Sequence, residues 1–264
     1  MPVTAVVLEQ HEPWAQPAPG TSSSRLLAMQ PYFLVYGSAI SLFSPLASSY
    51  QLCKLYRSPQ SFGVLLRSSA AIFPHQTMLK AFQMNASTPA KDYLNPWAAF
   101  AVVGVLQGVV YGQANIHFTR TLKLVSNVPT MTVAGVMRGS VFAAGRDMVS
   151  QGAPFVLSGS VREALFDPML PVDEPSHGML ARAAHWGGVG LTSVLATVAS
   201  QGLHNAQIKM QSDQTLSYAA TVRTLWRENG LSVLYRGAEA RIGLLLIVNL
   251  LNEAVLKPAW EGVE

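Results

Sequence analysis

Six stretches of this chain carry almost no charge and are each long enough to cross a bilayer, which takes roughly 20 residues. They run over 31–56, 63–84, 94–119, 133–160, 180–210 and 237–259. The whole chain is 50% hydrophobic and 12% charged, about half the charged share of an ordinary soluble domain. We therefore expect an integral membrane protein. None of the six stretches is purely apolar: Gly, Ser, Gln and His recur inside them. That composition suits helices packed around a polar interior better than helices facing lipid on every side. In "VVGVLQGVVYGQ", Gly104, Gly108 and Gly112 fall four residues apart on one helix face. Small residues at that spacing let two helix backbones approach closely. "HWGGVGLTSVLATVASQG" has the same small-residue character.

The charges between the stretches and towards their ends are unevenly distributed. The side holding the first, third and fifth connections has ten Lys or Arg against three Asp or Glu. The other side has six against ten. Lys/Arg-rich loops stay on the side from which insertion occurs, so both termini are expected on the opposite, acidic side. The net charge of +4 is modest and the basic residues do not cluster, which leaves nucleic-acid binding without support. A single cysteine, Cys53, excludes an internal disulfide framework. His75, His117 and His204 fall on different expected helices, and a haem or metal site would need two of them to converge. We expect hydrogen-bonded bundle histidines, with no metal site and no cofactor. Paired catalytic carboxylates, a nucleophile elbow, a phosphate-binding glycine loop and CxxC motifs are all absent, so no catalytic residues are assigned and no enzyme is expected.

The junction before the last stretch is more specific. "TLSYAATVRTLWREN" has helical periodicity with one polar face and is too short and polar to span. It should lie along the membrane surface. Gly230 supplies the turn that ends it, and Gly237 permits a tight turn into the last span. "ENGLSVLYRG" closely resembles the acidic–glycine, aromatic–basic–glycine signature of the mitochondrial carrier family, carried here by Glu228, Gly230, Tyr235, Arg236 and Gly237. Arg241 stands where that family often has a Pro-Arg pair, with Ala240 in place of the proline. "VMRG" at 136–139 resembles the same signature with Met137 for the aromatic. Arg146 and Asp147 match an Arg-Asp pattern of the fourth carrier helix, with Val149 for the proline that follows.

The resemblance implies an all-α membrane protein of the mitochondrial carrier fold: six transmembrane helices in three tandem helix–surface helix–helix repeats. The chain divides into an N-terminal extension over 1–30 and repeats over 31–92, 93–178 and 179–264, the first two with shortened surface helices. Both termini then lie on the intermembrane-space side of the mitochondrial inner membrane. Inner-membrane lipids become expected partners, with a bound phospholipid such as cardiolipin a candidate ligand. The Pro/Ser-rich extension and the long acidic loop over 162–178 are expected to dock on other membrane subunits.

Carriers alternate access through a Pro-x-acid-x-x-base gate on each odd helix. Here those positions read Pro45, Ala47 and Tyr50; Gln113, Asn115 and Phe118; Gly202, His204 and Gln207. Every charged gate pair is missing from this divergent member, and His204 with Gln207 offers only a hydrogen bond. At the opposite end, Glu253 and Lys257 lie one turn apart, without clear equivalents on the other even helices. The family's substrate contacts, placed by spacing, fall on Ala70, Ala71, Arg146, Asp147 and Leu244. We expect too few cations there for a nucleotide or a di- or tricarboxylate. The expected function is that of a carrier fold that has lost transport and serves as an accessory subunit of a larger assembly such as a respiratory chain complex. The alternative is an active carrier for a small neutral, zwitterionic or hydrophobic solute.

Overall fold

A computed structural model of the chain describes residues 23–127, 129–171 and 178–251. Most of the N-terminal extension, residues 172–177 of the expected docking loop, and the pair Glu253 and Lys257 lie outside the described residues. Among those described, the chain is helical and contains no strand.

The helices are α1 (Ser23–Leu55), α2 (Phe62–Tyr93), α3 (Pro96–Thr121), α4 (Val133–Met137), α5 (Ser140–Asp147), α6 (Ala153–Leu165), α7 (Met179–Ser212), α8 (Tyr218–Asn229) and α9 (Ala238–Leu251). Local chemistry sets several of their ends. The Asn95 side chain accepts from the Ala98 amide at 2.9 Å, and Pro96 takes the first turn of α3, where its missing N–H costs nothing. Ser217 caps α8 by accepting from the Ala220 amide. Helices α1 and α3 stop on the same motif. Ser58 N–H reaches Cys53 O and Arg57 N–H reaches Lys54 O; after α3, Leu124 N–H reaches Thr119 O and Lys123 N–H reaches Arg120 O. Arg57 and Lys123 are left-handed, at φ 53 and φ 50, as this paired helix-end bonding requires. Helix α7 ends otherwise, at Asp213 with φ −115.

The 133–160 stretch, expected as one span, is interrupted. α4 is a separate five-residue helix, Gly139 turns the chain at φ 74, and a π-helical turn, Met148–Gly152, joins α5 to α6. The wider turn lets the helix continue past Asp147 with one extra residue. The amphipathic segment before Gly230 is helical as α8, and Gly230 follows it at φ 56.

Each helix packs on its neighbour: α1 on α2, α2 on α3, α3 on α5, α6 on α7 and α7 on α9. α9 returns to α1 and closes the bundle into a ring. Close approach explains the glycines of α3. A Cβ on Gly104 would sit 2.8 Å from Ala143 O, and one on Gly112 would sit 2.6 Å from Val136 O. The stripe is therefore the seat of α4 and α5. An apolar cluster including Leu52, Phe118, Leu122, Ile208 and Leu225 ties the C-terminal ends of α1, α3 and α7 to α8.

Beside its apolar core the bundle buries many polar side chains and leaves large apolar ones exposed. Gln51, Gln76, Asn115, Gln201, Asn205 and Gln211 are buried, whereas Phe43, Phe62, Leu66, Met78, Phe82 and Leu195 are exposed. Soluble domains normally bury their large apolar side chains. Among the described residues one segment, Trp97–Thr121, is both long and apolar enough to cross a membrane by length and composition. α1 and α7 have the length, at 33 and 34 residues, but their serines, glutamines and histidines lower their hydropathy.

Candidate functional site

The most tightly connected polar group lies where α5 gives way to the π-helical turn. Arg146 and Asp147 are each 2% exposed. The guanidinium grips the carboxylate with both prongs: Nε lies 2.5 Å from Asp147 Oδ1 and Nη2 lies 2.6 Å from Oδ2. Two parallel charge-assisted bonds of this kind are strong and fix orientation. Nη1 also donates to Gln207 Oε1 at 2.7 Å and to His204 Nδ1 at 3.3 Å, while Nη2 donates to Gln107 Oε1 at 3.3 Å.

Because a guanidinium can only donate, His204 Nδ1 is an acceptor and the ring carries its proton on Nε2. That proton is donated to Gln51 Oε1 at 2.7 Å. A single arginine on α5 thus braces α3 through Gln107 and α7 through Gln207 and His204, and it reaches α1 through the histidine. Further along α7, Gln211 accepts from Asn115 Nδ2 at 2.8 Å and donates to Gly108 O, and Thr119 meets Ser212 at 2.9 Å. The joints between α1, α3 and α7 are therefore neutral amides, hydroxyls and one imidazole.

A second set surrounds the junction after α8. Glu228 accepts from Lys209 Nζ at 3.1 Å, and its backbone carbonyl accepts from Arg57. Arg236 donates to Asn229 Oδ1 and Ser232 Oγ, and its own carbonyl receives Gln201 and Asn205. Gln51 donates to Gly237 O. Arg241, also buried, donates to Thr197 O and Gln201 Oε1, both at a long 3.4 Å.

The residues singled out in the sequence scatter among these groups. Arg146 and Asp147 come together with His204 and Gln207, so a pair placed in the substrate cavity and a pair placed in the gate form one cluster. His204 and Gln207 both accept from the same guanidinium. Leu244 is buried, but Ala70 is exposed, and Ala71 borders an outer groove of about 450 Å³ between α2, α3 and α4. His75 and His117 border the same groove, and His75 bonds Gln113. Pro45 is buried within α1, Ala47 is half-buried, and Tyr50 donates to Glu239. Phe118 belongs to the apolar cluster, and Gly202 faces Leu234. Tyr235 is exposed. Among the described residues no three His, Cys, Asp or Glu side chains gather as a metal site would need.

Sequence reasoning missed Gln51 and Gln107 as bracing groups, and it counted Lys80 only among the six basic residues of the acidic side. Lys80 is buried with Nζ 4.2 Å from the centre of the Tyr111 ring. The amides gave no discriminating signal, because all six expected spans carry glutamine or asparagine in their C-terminal halves.

Chemically, the cluster is a brace. All three guanidinium nitrogens of Arg146 are engaged, leaving it poorly placed to seize a passing solute. No family model matches the chain, and no curated protein matches it.

Proposed function

We propose that this chain is a carrier-fold protein of the mitochondrial inner membrane that no longer cycles. It serves as an accessory, structural subunit of a larger membrane assembly such as a respiratory chain complex. In this reading six helical units span the membrane in three tandem repeats, with both termini on the intermembrane-space side. The N-terminal extension and the 162–178 loop dock on neighbouring subunits. Membrane residence is supported by the large apolar side chains turned outward, which are matched to lipid, and by the many polar ones turned inward, which find partners there. A groove of about 650 Å³ lined by Lys54, Arg57 and Arg236, with Glu239 paired to Lys54, keeps a net positive charge for an anionic phospholipid.

The observation that carries the loss of transport is the Arg146 brace. Alternating access needs cross-helix contacts that break in one state and are replaced in another. Here one desolvated guanidinium ties α3, α5 and α7 together and reaches α1 through His204, and it already holds the Asp147 carboxylate. Opening that end would strand a buried charge, which costs several kcal/mol, and no acid stands ready on α1, α3 or α7 among the described residues.

The test has two arms. Solubilised in mild detergent, the protein is expected to comigrate with a large membrane complex at fixed stoichiometry. Purified and reconstituted in vesicles, it is expected to take up neutral, zwitterionic and hydrophobic solutes no faster than empty vesicles do. Specific uptake by the purified chain, lost in Arg146→Ala, would overturn the structural reading in favour of an active carrier.

A further inference from the structure

The groove of about 450 Å³ between α2, α3 and α4 takes no part in the Arg146 brace. Its size falls within the range of small-molecule sites. Its walls are mainly aliphatic, with Ile72, Val109 and Val136 among them, and the partly exposed Met131 and Met137 border it. No Asp, Glu, Lys or Arg lines it, unlike the groove beside Lys54 and Arg57. Its polar groups are therefore amides, a hydroxyl and two imidazoles. Three of them have partners inside the protein. His75 Nε2 donates to Gln113 Oε1, Gln76 donates to Val110 O, and Thr132 accepts from the Gly135 amide. His117 Nε2 is different, being buried without a hydrogen-bond partner among the described residues. The sequence led us to expect hydrogen-bonded histidines, and this nitrogen departs from that expectation.

A polar atom cut off from water and left unpaired is costly, and native proteins keep few of them. Gln113 adds a second open group. With its oxygen taken by His75, it has only N–H donors left to offer. Gln113 and His117 lie four residues apart on α3, so they sit on one face, about 6 Å apart along the helix axis. The groove thus presents two polar points in line on an otherwise apolar wall. An acyl chain would leave both unmet. A sterol brings one hydroxyl for two points. A phosphate headgroup would find no cation.

We propose that this groove binds the head of a membrane quinone. A para-quinone is flat and uncharged, and its two carbonyl oxygens stand on opposite corners of one ring, at much the separation of the two polar points. One carbonyl accepts from the Gln113 amide. The other accepts from His117, whose neutral imidazole carries its proton on Nε2 in that complex. The ring lies against Ile72 and Val136, and the methionine sulfurs make favourable contacts with its edge. The isoprenoid tail leaves past Val133, which is 83% exposed. The inference rests on membrane residence and on nothing else in the proposed function. A chain that never joins a complex would still bind quinone, and a chain that binds none could still be a subunit.

The experiment is equilibrium binding of decylubiquinone to the full chain in phosphatidylcholine nanodiscs, which bring neither quinone nor cardiolipin of their own. Saturable binding of one quinone per chain is expected. His117→Phe keeps a ring and removes the nitrogen, and Gln113→Leu removes the amide. Each should weaken binding about tenfold, the loss of one hydrogen bond. Val133→Trp fills the groove from an exposed position and should abolish binding while leaving both polar groups in place. Should the His117 variant fail to fold, Val133→Trp decides the matter, because so exposed a position tolerates substitution. Absence of saturable binding, or unchanged affinity in Val133→Trp, would overturn the proposal. So would displacement of the quinone by cholesterol or dioleoylglycerol at equal concentration, which would make the groove an unselective apolar surface.

Discussion

Gly237 before α9 and Gly139 before α5 take nearly the same left-handed backbone, at φ 79 and φ 74, and each follows an arginine. Their surroundings differ. The α9 joint is supported largely from within its own unit: α8 buries Thr221 and Leu225, and Arg236 bonds Asn229 and Ser232. The α5 joint has only the five residues of α4, and it borrows the rest. Arg138 donates to Leu216 O, and Thr130 is held by Gln214, both in the segment between α7 and α8. Inside the bundle the order reverses. The α5 unit holds the bidentate Arg146–Asp147 pair, while Arg241 on α9 has long neutral bonds. One unit is thus secured at its surface and the other in its interior. A helix that follows such a glycine turn can be pinned either by the helix that precedes the turn or by contacts inside the bundle.

One chemical change made in both units tests this most sharply, replacement of a carboxylate by its amide. Asp147→Asn should have the largest effect. It leaves Arg146 buried and charged with only amides and an imidazole for company, and breaking a buried pair by removing one partner typically costs about 3–5 kcal/mol. Unfolding in detergent should show a large fall in Tm. Adding Arg146→Met on top should recover much of it, since a buried pair replaced by apolar side chains is often close to neutral. Failure of the double variant to recover would mean that Arg146 acts through its bonds to Gln207 and His204 more than through charge.

How much of this could be read from the sequence follows from how local each feature is. The α8 periodicity, the turn at Gly230 and the joint at Gly237 depend on neighbours within a dozen residues. The stripe of Gly104, Gly108 and Gly112 is likewise a property of one helix. Arg146 and Asp147 stood out because two adjacent charges in an apolar stretch are conspicuous. Gln51, Gln107, Lys80 and Arg241 matter through the rotation of each helix about its axis, which is set by packing against the others. Polar residues are distributed around α1, α2 and α7, so no single periodic face declares which side turns inward. Ala70, placed by spacing at a substrate contact, is exposed. The interruption of 133–160 was hidden because a π-helical turn in "MVSQG" has no fixed sequence signal.

Gly139→Ala and Gly237→Ala come next in size. Each forces a side chain onto left-handed backbone, at roughly 1–2 kcal/mol. A Cβ at position 139 would meet the Gln207 backbone at 3.2 Å, whereas at 237 it meets the flexible Gln51 side chain at 3.3 Å. Substitution at 139 should therefore lower Tm somewhat more, even though the helix before it is the shorter one. An innocuous Gly139→Ala would show that the second joint is vestigial and would undo the equivalence drawn between the two.

Glu228→Gln should have the smallest effect, and it completes the comparison with Asp147→Asn. Glu228 pairs with Lys209 at 3.1 Å, but its side chain is 45% exposed. An ion pair so open to solvent is worth roughly 0–1 kcal/mol. The amide can still accept from Lys209, and the backbone carbonyl that receives Arg57 is untouched. Lys209 is itself buried, but it keeps that amide acceptor, which lies open to water, and the Tyr56 ring 5.0 Å from its Nζ. Unfolding should shift by a degree or two at most, and less in high salt, where exposed pairs are screened. A loss as large as that of Asp147→Asn would mean that the α8 junction is secured by charge as the α5 interior is, and the division between a surface-held unit and an interior-held one would collapse.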